Sequence, residues 1–487
     1  MDRDSLKKPK INKISEYEWE IDPSFNKNMR VPARIIANKK LMDNMDLGVF
    51  NQLSNVATLP GICTCAFCMP DAHWGYGFPV GGVAAFDGKN GIVSPGSIGF
   101  DINCGMRAVK TTLSYKDVKP KIKQLVDALF DAVPSGVGRG GFVKINHSEF
   151  DELVTKGVSW AVDNGYGVKQ DIKRCESFGT IKSADPNFVS QKAKSRGIGQ
   201  IGTLGSGNHY LEIQTVDSIY DPKIAKQFGI ENKDQIIVMV HCGSRGFGHQ
   251  VGTDYLKSFD EYLRKNTISI PDRELAYAPI DSEDGQNYLK SMACAANSAF
   301  VNRQVILHRI REVFSKVFKQ TPEELGLELI YDVAHNIAKF EKYKVDGKTK
   351  EVLVHRKGAT RSFAPGNNEL APEFQKTGQP VILGGSMETG SYLLVGTKFA
   401  EEHTFGTTAH GSGRTMSRNQ AKREVRGDKL QKDMEKKGIY VKTASYSGLA
   451  EEAGIAYKDI DEVVKVLDGF GISKKVVKLK PIGNIKG

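Results

Sequence analysis

The sequence predicts an α+β fold in which mixed β-sheets are surrounded by helices. Two stretches show helical periodicity, at residues 120–133 and 285–318, and several short runs of β-branched and aliphatic residues lie between and after them. The runs lack the strand–helix–strand regularity of a doubly wound sheet, and no repeat or long linker divides the chain. Because motifs of interest run from about residue 70 to the C-terminus, we expect one catalytic unit spanning residues 1–487.

The first predicted helix ends at the glycine-rich sequence PSGVGRGG, and apolar residues recur along it at helical spacing. The predicted strands are QIIVMV at 235–240, LELIYDV at 327–333, EVLVH at 351–355, QPVIL at 379–383 and SYLLVG at 391–396. Several of these strands end directly beside polar residues. Rigid strands followed by reactive loops are a common way of presenting catalytic groups.

Composition places the chain among globular proteins, with 40% hydrophobic and 26% charged residues. No run approaches the roughly 20 apolar residues that span a bilayer. The first residues, MDRDSLKKPKINK, are polar and basic with no apolar stretch behind them, so we expect a cytoplasmic protein without a secretory signal. In a reducing compartment the seven cysteines are expected as free thiols, metal ligands or catalytic groups.

The charge balance favours a polyanionic partner. There are 68 Lys and Arg against 57 Asp and Glu, which gives a formal charge of +11. RNA or nucleotide phosphates would complement this charge, although a basic composition alone is not specific. The 50 glycines cluster around the polar motifs, where they let backbone approach a ligand closely.

Five potential metal ligands are spread along the chain. Asp101 and Cys104 lie three residues apart in FDINCGMR, and such an isolated pair is more often a buried cysteine beside a turn. Three histidines favour a different interpretation, since His209, His241 and His335 each lie at a strand end or on a glycine-rich loop. Thiolate, imidazole and carboxylate groups together are typical transition-metal ligands. The sequence therefore predicts a joint metal site.

A competing metal site is the cluster Cys63, Cys65 and Cys68 in GICTCAFCMP, which would need a fourth ligand. It has no second CxxC pair, which zinc knuckles normally require. The remaining cysteines have no partner pattern and are expected to pack in the interior: Cys175, Cys242 and Cys294.

Two glycine-rich loops are suited to phosphate. In FGTTAHGSGRTMSR, His410 lies between small residues with Arg414 and Arg418 close behind, so a phosphate could approach the imidazole. In LGGSMETGSYLL, Ser386 and Ser391 could bind a nucleotide. No Walker A sequence is present, and glycine-rich loops of this kind are weak signals in isolation.

The residues Lys344 to Gly347 read KVDG, which matches the KxDG of lysine-nucleotidylating ligases and capping enzymes. The match lies in the charged stretch EKYKVDGKTKE, where Asp346 and Gly347 form a natural hairpin turn before EVLVH. A four-letter pattern with a wildcard also arises easily by chance. We therefore interpret it as a turn.

Eight motifs, taken in order, resemble the RtcB family of RNA-splicing ligases. They are MPDAHWGYGFPVGG (69–82), DINCG, GTLGSGNHYLEIQ, HCGSRGFGHQ, YDVAHN, VLVHRKGATR (352–361), TTAHGSGR and the C-terminal Ile-Lys-Gly. The resemblance implies an RtcB-like fold with a central metal and nucleotide cleft. It implies joining of RNA 3′-phosphate or 2′,3′-cyclic phosphate ends to 5′-hydroxyl ends, with GTP and two manganese ions, in tRNA splicing and RNA repair. The implied substrates are tRNA halves and broken RNA ends, and archease is a candidate activator.

The resemblance also assigns roles to residues. Cys104 would bridge two metal ions, with His209 and His241 completing one site and Asp101 and His335 the other. His410 would become guanylylated, and Arg245 and Arg414 match arginines needed for activity. The positions implied to hold the nucleotide are Asn208, His209, Glu212, Ser386, Ser391, His410, Gly411, Ser412, Gly413, Tyr457 and Lys486.

Some positions depart from the family pattern or lie outside its assigned roles. The family shows proline and glycine where this chain has Gly384 and Glu388. His73, His249 and His355 also lie in the shared motifs, and we expect them to support the site rather than to react.

Two alternative functions remain open at this point. A dinuclear metallophosphoesterase acting on RNA ends would use the same ligands but would not need His410 or Lys486. A non-catalytic RNA-binding protein would explain the charge and leave the ligand set without a purpose. Manganese rests on the resemblance, since a Cys and His set also suits zinc.

Overall fold

The structure is a computed structural model, and it describes residues 6–487. The strands are β1 Ile11–Lys13, β2 Glu18–Ile21, β3 Ala33–Ile36, β4 Ile62–His73, β5 Val80–Asp87, β6 Ile92–Val93, β7 Gly105–Ser114, β8 Tyr210–Ile219, β9 Gln235–Cys242, β10 Ala278–Pro279, β11 Glu328–Ala334, β12 Asn336–Val345, β13 Lys348–Lys357, β14 Ala359–Arg361, β15 Pro380–Gly384, β16 Ser391–Gly396, β17 Thr407–Ala409, β18 Tyr440–Thr443 and β19 Ser473–Lys486.

The helices are α1 Lys39–Asp43, α2 Leu47–Val56, α3 Tyr115–Val118, α4 Ile122–Ala132, α5 His147–Lys156, α6 Val158–Asp163, α7 Lys169–Lys173, α8 Gln191–Ile198, α9 Pro222–Gln227, α10 Arg245–Lys265, α11 Glu283–Phe318, α12 Lys398–His403, α13 Arg418–Glu424, α14 Gly427–Lys436, α15 Tyr446–Glu451 and α16 Ile460–Phe470.

Two large sheets organise these elements. The first sheet has the order β1-β2-β3-β4-β5-β13-β12, and the second has the order β11-β7-β9-β8-β19-β16-β15, with β18 added beside β19. The pairs β3–β4 and β18–β19 are parallel, and the other neighbours in these two sheets are antiparallel. The predicted α+β class with mixed sheets is therefore confirmed.

The predicted helices and strands are found close to their expected bounds. In α4 the buried residues are Leu125, Val126 and Leu129, which is the apolar stripe that predicted the helix. The helix stops before Val133, which takes an extended conformation ahead of Pro134. The strand predicted at 351–355 is longer, because β12 and β13 form a hairpin around Asp346 and Gly347. Both turn residues have positive φ, at 52° and 76°, as a two-residue hairpin turn requires.

Helix α11 runs through the interior and contacts both main hydrophobic clusters. Its 36 residues correspond to a length of about 54 Å. It begins where the Ser282 side chain accepts a hydrogen bond from the Gly285 N–H. Within residues 6–487, no helix has both the length and the apolar character needed to cross a membrane.

A buried ion network ties α11 to the second sheet. Asp332 on β11 accepts hydrogen bonds from Arg107 Nε at 2.7 Å and from Arg303 Nε and Nη2 at 2.8 Å, and all three side chains are fully buried. Arg303 Nη1 also donates to the backbone carbonyls of Asn103 at 2.8 Å and Cys242 at 2.9 Å. The network therefore fixes the two chain segments that carry the cysteine and histidine cluster described below.

We expect Asp332→Ala to destabilise the fold by about 3–5 kcal/mol, because it leaves two buried guanidinium groups without their carboxylate. Urea unfolding followed by circular dichroism measures the change. The control is Glu152→Ala, which removes a solvent-exposed pair with Lys156 and should shift the midpoint far less. Equal shifts in the two variants would show that the network does not hold the core.

Candidate functional site

The second sheet explains how ligands that are distant in sequence meet. Cys104 immediately precedes β7, and His335 immediately follows β11, and the two strands pair with Gly105 opposite Ala334. His241 is on β9, the neighbour of β7 on its other side. His209 immediately precedes β8, whose first residue pairs with His241. Antiparallel pairing thus brings all four side chains to one end of the sheet.

The four side chains and Asp101 form a compact cluster. The Cys104 Sγ atom lies 3.2 Å from His241 Nε2 and 3.4 Å from His209 Nε2. Asp101 Oδ2 lies 2.8 Å from His209 Nε2, and His335 Nε2 lies 3.2 Å from His241 Nε2. Two groups could each hold a metal ion, Asp101 with Cys104 and His209, and Cys104 with His241 and His335. In each group the ligand atoms lie within 4.8 Å of one another.

This grouping differs from the pairing of ligands that the resemblance implied. The expectation placed His209 with His241, and Asp101 with His335. The structure instead places Asp101 beside His209 and His335 beside His241, on two sides of the shared Cys104. The five side chains that come together are those expected as ligands, and their arrangement in two groups differs from the expected one.

The protonation of the rings fits a metal centre. His209 Nδ1 lies 3.0 Å from the Leu204 carbonyl, and His241 Nδ1 lies 3.0 Å from the Asn208 carbonyl. Since a carbonyl only accepts, the Nδ1 atom of His241 carries the proton and its Nε2 lone pair faces Cys104. Burial opposes the charged form of His209, but the neighbouring Cys242, Cys104 and Asp101 raise the pKa of His209 well above its ordinary value. Burial lowers the pKa of His241 and of His335 well below the ordinary histidine value, so these rings are neutral.

A divalent cation would satisfy this set of donors. The neutral His241 and His335 imidazoles lie in one group with the Cys104 sulfur, and burial raises the pKa of the Cys104 thiol to about 12. A bound metal would stabilise the thiolate and separate the converging lone pairs. The residues present therefore fit a metal, and the thiolate and imidazole ligands do not by themselves select manganese over zinc.

His410 lies next to this cluster, directly after β17. Its Nδ1 atom is 2.7 Å from Asp71 Oδ2, and its own N–H and that of Gly411 donate to the same oxygen at 3.1 and 3.3 Å. Because the carboxylate accepts a hydrogen bond from Nδ1–H, the Nε2 atom of the neutral ring keeps its lone pair. The ring centroid lies 4.9 Å from that of His335, and the side chain is 14% exposed. An accessible imidazole nitrogen is thus held beside the metal ligands.

Asp71 contacts the His410 ring, and the sequence analysis did not single it out. It is fully buried near the end of β4, and it was noted only as part of MPDAHWGYGFPVGG. A carboxylate inside an apolar strand was the available signal, since buried acids are rare unless they have a partner. The chain returns to Asp71 at Gly413, where an added Cβ would lie 1.9 Å from the Asp71 carbonyl oxygen and φ is +71°. This close approach requires glycine.

The cluster and His410 open into a cleft of about 300 Å³. Most of the residues predicted to hold a nucleotide line it: Asn208, Ser386, His410, Gly411, Ser412, Gly413, Tyr457 and Lys486. Arg414 lines it as well, with the metal ligands Asp101, Cys104, His241 and His335. The structure therefore brings the predicted metal and nucleotide residues to one cavity.

Four predicted residues lie behind the wall of the cleft. Glu212 accepts a hydrogen bond from Gln214 Nε2 at 2.5 Å and another from Asn484, and Gln214 Nε2 also donates to Ser391 Oγ at 3.1 Å. Burial raises the pKa of Glu212 to about 7, against the opposing effect of the nearby Lys486. The other two are His209 and Arg245, whose Nη1 lies 3.2 Å from His209 Nδ1. These residues contact the cleft residues rather than the cavity itself.

The chain is similar to known proteins over most of its length. The family model described as tRNA-splicing ligase RtcB matches residues 52–487. A curated relative from Archaeoglobus fulgidus, described as tRNA-splicing ligase RtcB, is 53% identical over 98% of this chain and 99% of its own length. The chain belongs to the RtcB family. Relatives of the same description from Methanococcus maripaludis and Thermococcus kodakarensis are 50% and 49% identical, over 99% and 98% of this chain and 100% and 99% of their own lengths.

The resemblance inferred from the motifs is thereby confirmed, and the loop that departs from the RtcB pattern can be described. A Cβ added at Gly384 would lie 2.3 Å from the Tyr210 hydroxyl, so this side chain fills the space. Glu388 accepts a hydrogen bond from the Gly454 N–H at 2.9 Å and pairs with Lys437 Nζ at 3.2 Å. The substituted residues therefore tie the loop to its neighbours in this RtcB protein.

Arg414 is anchored by an acidic residue that the sequence analysis also missed. Glu452 is buried in the cleft wall and lies 3.2 Å from Arg414 Nη1, 3.5 Å from Arg418 Nε and 4.0 Å from Lys486 Nζ. The Tyr457 hydroxyl donates a hydrogen bond to the same carboxylate. The Arg414 guanidinium carbon lies over the Tyr457 ring, 5.0 Å from the ring centroid. Glu452 thus lies within ion-pair distance of all three basic side chains that line the cleft beside it.

The competing motifs lie elsewhere. Lys344 is exposed near the tip of the β12–β13 hairpin and does not line the cleft. Cys63, Cys65 and Cys68 are buried along β4, and within residues 6–487 they belong to neither group of metal ligands. His73 lines the cleft, His355 is fully buried, and His249 stacks on Phe100 at 5.1 Å between ring centroids.

Proposed function

We propose that this protein is a GTP- and manganese-dependent RNA ligase. It joins RNA 3′-phosphate or 2′,3′-cyclic phosphate ends to 5′-hydroxyl ends through a GMP-histidine intermediate at His410, in tRNA splicing and RNA repair. Membership of a family whose relatives are described as tRNA-splicing ligases supports an RNA ligase. The observation that carries the chemistry is the His410 ring, with Nδ1 bound to Asp71 and Nε2 free beside the metal ligands.

In the first step the lone pair of His410 Nε2 attacks the α-phosphorus of GTP. A nitrogen–phosphorus bond forms, the bond to the bridging oxygen breaks, and pyrophosphate leaves. The ring gains positive charge in this step, and the Asp71 carboxylate on Nδ1 stabilises it. Manganese held by Asp101, Cys104, His209, His241 and His335 would neutralise charge on the phosphoryl oxygens.

In the second step an oxygen of the RNA 3′-phosphate attacks the phosphorus of the adduct, and the electron pair returns to His410 Nε2. The 5′-hydroxyl of the other RNA then attacks the activated 3′-phosphate and releases GMP. A cyclic end must be hydrolysed to a 3′-phosphate before this sequence. Arg414, Arg418 and Lys486 line the cleft and can hold the phosphates.

The cleft is lined by His73 of the first sheet and by Lys486 at the end of the second. This arrangement supports our proposal that residues 1–487 act as one catalytic unit. We propose tRNA halves and broken RNA ends as substrates and the cytoplasm as the site of action, and archease as an activator rests on the family resemblance alone.

A ligation assay tests the proposed function. An RNA with a radiolabelled 3′-phosphate is mixed with a 5′-hydroxyl RNA, GTP and manganese. We expect the label at the new junction, where phosphatase cannot remove it, because the 3′-phosphate becomes the joining phosphate. Release of the label as inorganic phosphate, without joining, would instead indicate the metallophosphoesterase.

We expect Asp71→Asn to slow formation of the GMP adduct by about 100-fold or more, because it removes the negative charge beside a ring that becomes cationic in this step. The amide oxygen can still accept from Nδ1–H and from the two backbone N–H groups, so the position of the ring is kept and the charge alone is lost. Single-turnover kinetics with labelled GTP should show a lower maximal rate with a similar half-saturating GTP concentration. Asp43→Asn, an exposed carboxylate on α1, is the control. An unchanged rate in Asp71→Asn would contradict this role.

A further inference from the structure

A second groove lies away from the catalytic cleft, between α4 and the C-terminal end of α14. Its volume is about 620 Å³. Lys119 and Lys123 line it on one side, Lys432 and Lys436 line it on the other, and Tyr115 and Tyr440 contribute aromatic rings. We call it the lysine–tyrosine groove. None of these residues belongs to the motifs shared with the RtcB family.

The charge of this groove is largely uncompensated. All four lysines are exposed. Among the described residues, Lys119, Lys123 and Lys432 have no carboxylate within ion-pair distance, while Lys436 pairs with Asp433 at 3.2 Å. Glu435 is the one acidic residue among those that line the groove. The surface is therefore suited to a negatively charged ligand.

The aromatic rings narrow the choice of ligand. The Lys119 ammonium lies 5.4 Å from the centroid of Tyr115, and the Lys123 ammonium lies 5.6 Å from that of Tyr440. The groove also contains the apolar side chains of Ile122 and Ile482. Many proteins that bind single-stranded nucleic acid combine a positively charged groove with aromatic side chains. The cations contact the phosphates, and the bases stack on the rings.

The groove and the cleft both border β19, and β18 pairs with this strand. Tyr440 at the start of β18 pairs with Gly483, whose missing side chain would point at Val126 of α4. Three residues later Thr443 pairs with Lys486, which lines the cleft. Three residues of strand span about 10 Å. The two cavities are thus close along these strands.

The end of α14 lies between the two cavities. Lys436 lines the groove, and the next residue, Lys437, pairs with Glu388 at 3.2 Å. Glu388 belongs to the loop that carries Ser386 at the cleft. A polyanion that leaves the cleft over this loop would next meet Lys437 and Lys436.

We propose that the lysine–tyrosine groove binds a single-stranded part of the RNA substrate, several nucleotides away from the end that is joined. The proposal rests on the proposed RNA ligase function. The combination of unpaired cations and aromatic faces favours RNA over an acidic protein surface, which would not require the rings. Bound there, the RNA would be held while its end occupies the cleft.

The test compares two triple variants with the same change in charge. Lys119→Ala/Lys123→Ala/Lys432→Ala alters the groove, and Lys342→Ala/Lys344→Ala/Lys348→Ala alters exposed lysines of the β12–β13 hairpin. Affinity for RNA of about 20 nucleotides and of about 4 nucleotides, both with 3′-phosphate ends, is measured by fluorescence anisotropy over a range of salt. Formation of the GMP adduct is measured in parallel.

We expect the groove variant to bind the long RNA more weakly than the unaltered protein does. A plot of log affinity against log salt concentration should also become less steep by about 2, which is the change expected when three phosphate contacts are lost. The hairpin variant should bind the long RNA with an unchanged slope, and the groove variant should bind the short RNA as the unaltered protein does. Adduct formation should stay unchanged in both variants. An unchanged slope in the groove variant, or equal losses in the two variants, would overturn the proposal. If the unaltered protein formed no GMP adduct, the proposed function would be overturned instead. The two failures can be distinguished because RNA affinity and adduct formation are measured in separate assays.

Discussion

His410→Ala is expected to abolish the covalent GMP adduct, whereas Lys344→Ala leaves it intact. His410 faces the cleft beside the metal ligands, and Asp71 fixes its Nδ1 proton so that Nε2 is free to attack. A lysine nucleophile must first lose a proton, which requires burial or a cationic neighbour. Lys344 is exposed on a hairpin and lines no part of the cleft, so it has neither the environment nor the access.

The measurement is gel analysis of protein incubated with labelled GTP and manganese. Thermal unfolding of both variants shows whether either substitution has disturbed the fold. A label that survives in His410→Ala and is lost in Lys344→Ala would reject the histidine mechanism and favour a lysine ligase.

Cys104→Ala is expected to lose most of the bound manganese and to reduce ligation by at least about 100-fold, since even indirect ligand contacts cost 10- to 100-fold in metal sites. The thiol is the one ligand shared by both groups of metal ligands, so its removal weakens both. Metal content is measured by elemental analysis after dialysis, and ligation is measured with the labelled RNA assay.

Cys68→Ala is the matched control, because it removes another fully buried thiol that is not part of either ligand group. It should retain metal and activity. Equal metal content in the two variants would show that Cys104 is not the shared ligand.

The fold class followed from local patterns. The stripe of Leu125, Val126 and Leu129 predicted α4 because a helix buries one face, and the apolar runs before His241 and His335 predicted β9 and β11 because central strands are buried. The positions of these histidines at one end of the sheet also followed, since they lie where predicted strands end or begin.

The division of the ligands and the role of Asp71 did not follow from these patterns. Which imidazole lies on which side of Cys104 depends on the order β11-β7-β9-β8, which no local spacing encodes. Asp71 reaches His410 across 339 positions of sequence, because β4 of the first sheet passes beside the loop after β17. Contacts of this kind arise from tertiary structure alone.

Burial likewise separated residues that the motifs had grouped together. Glu212, Ser391 and Arg245 were expected to contact the nucleotide or the reacting groups, and the structure places them behind the wall of the cleft. A motif does not distinguish a cavity-lining side chain from the one behind it. Asn484 and Gln214, which hold Glu212, carried no signal in the sequence.

The central claim is that the GMP is carried on His410. The most direct measurement digests the labelled protein under mildly alkaline conditions, which preserve a phosphoramidate, and identifies the modified residue by mass spectrometry. We predict that GMP is attached to His410 in the peptide that contains TTAHGSGR. GMP found on Lys344, or on any residue other than His410, would contradict the account.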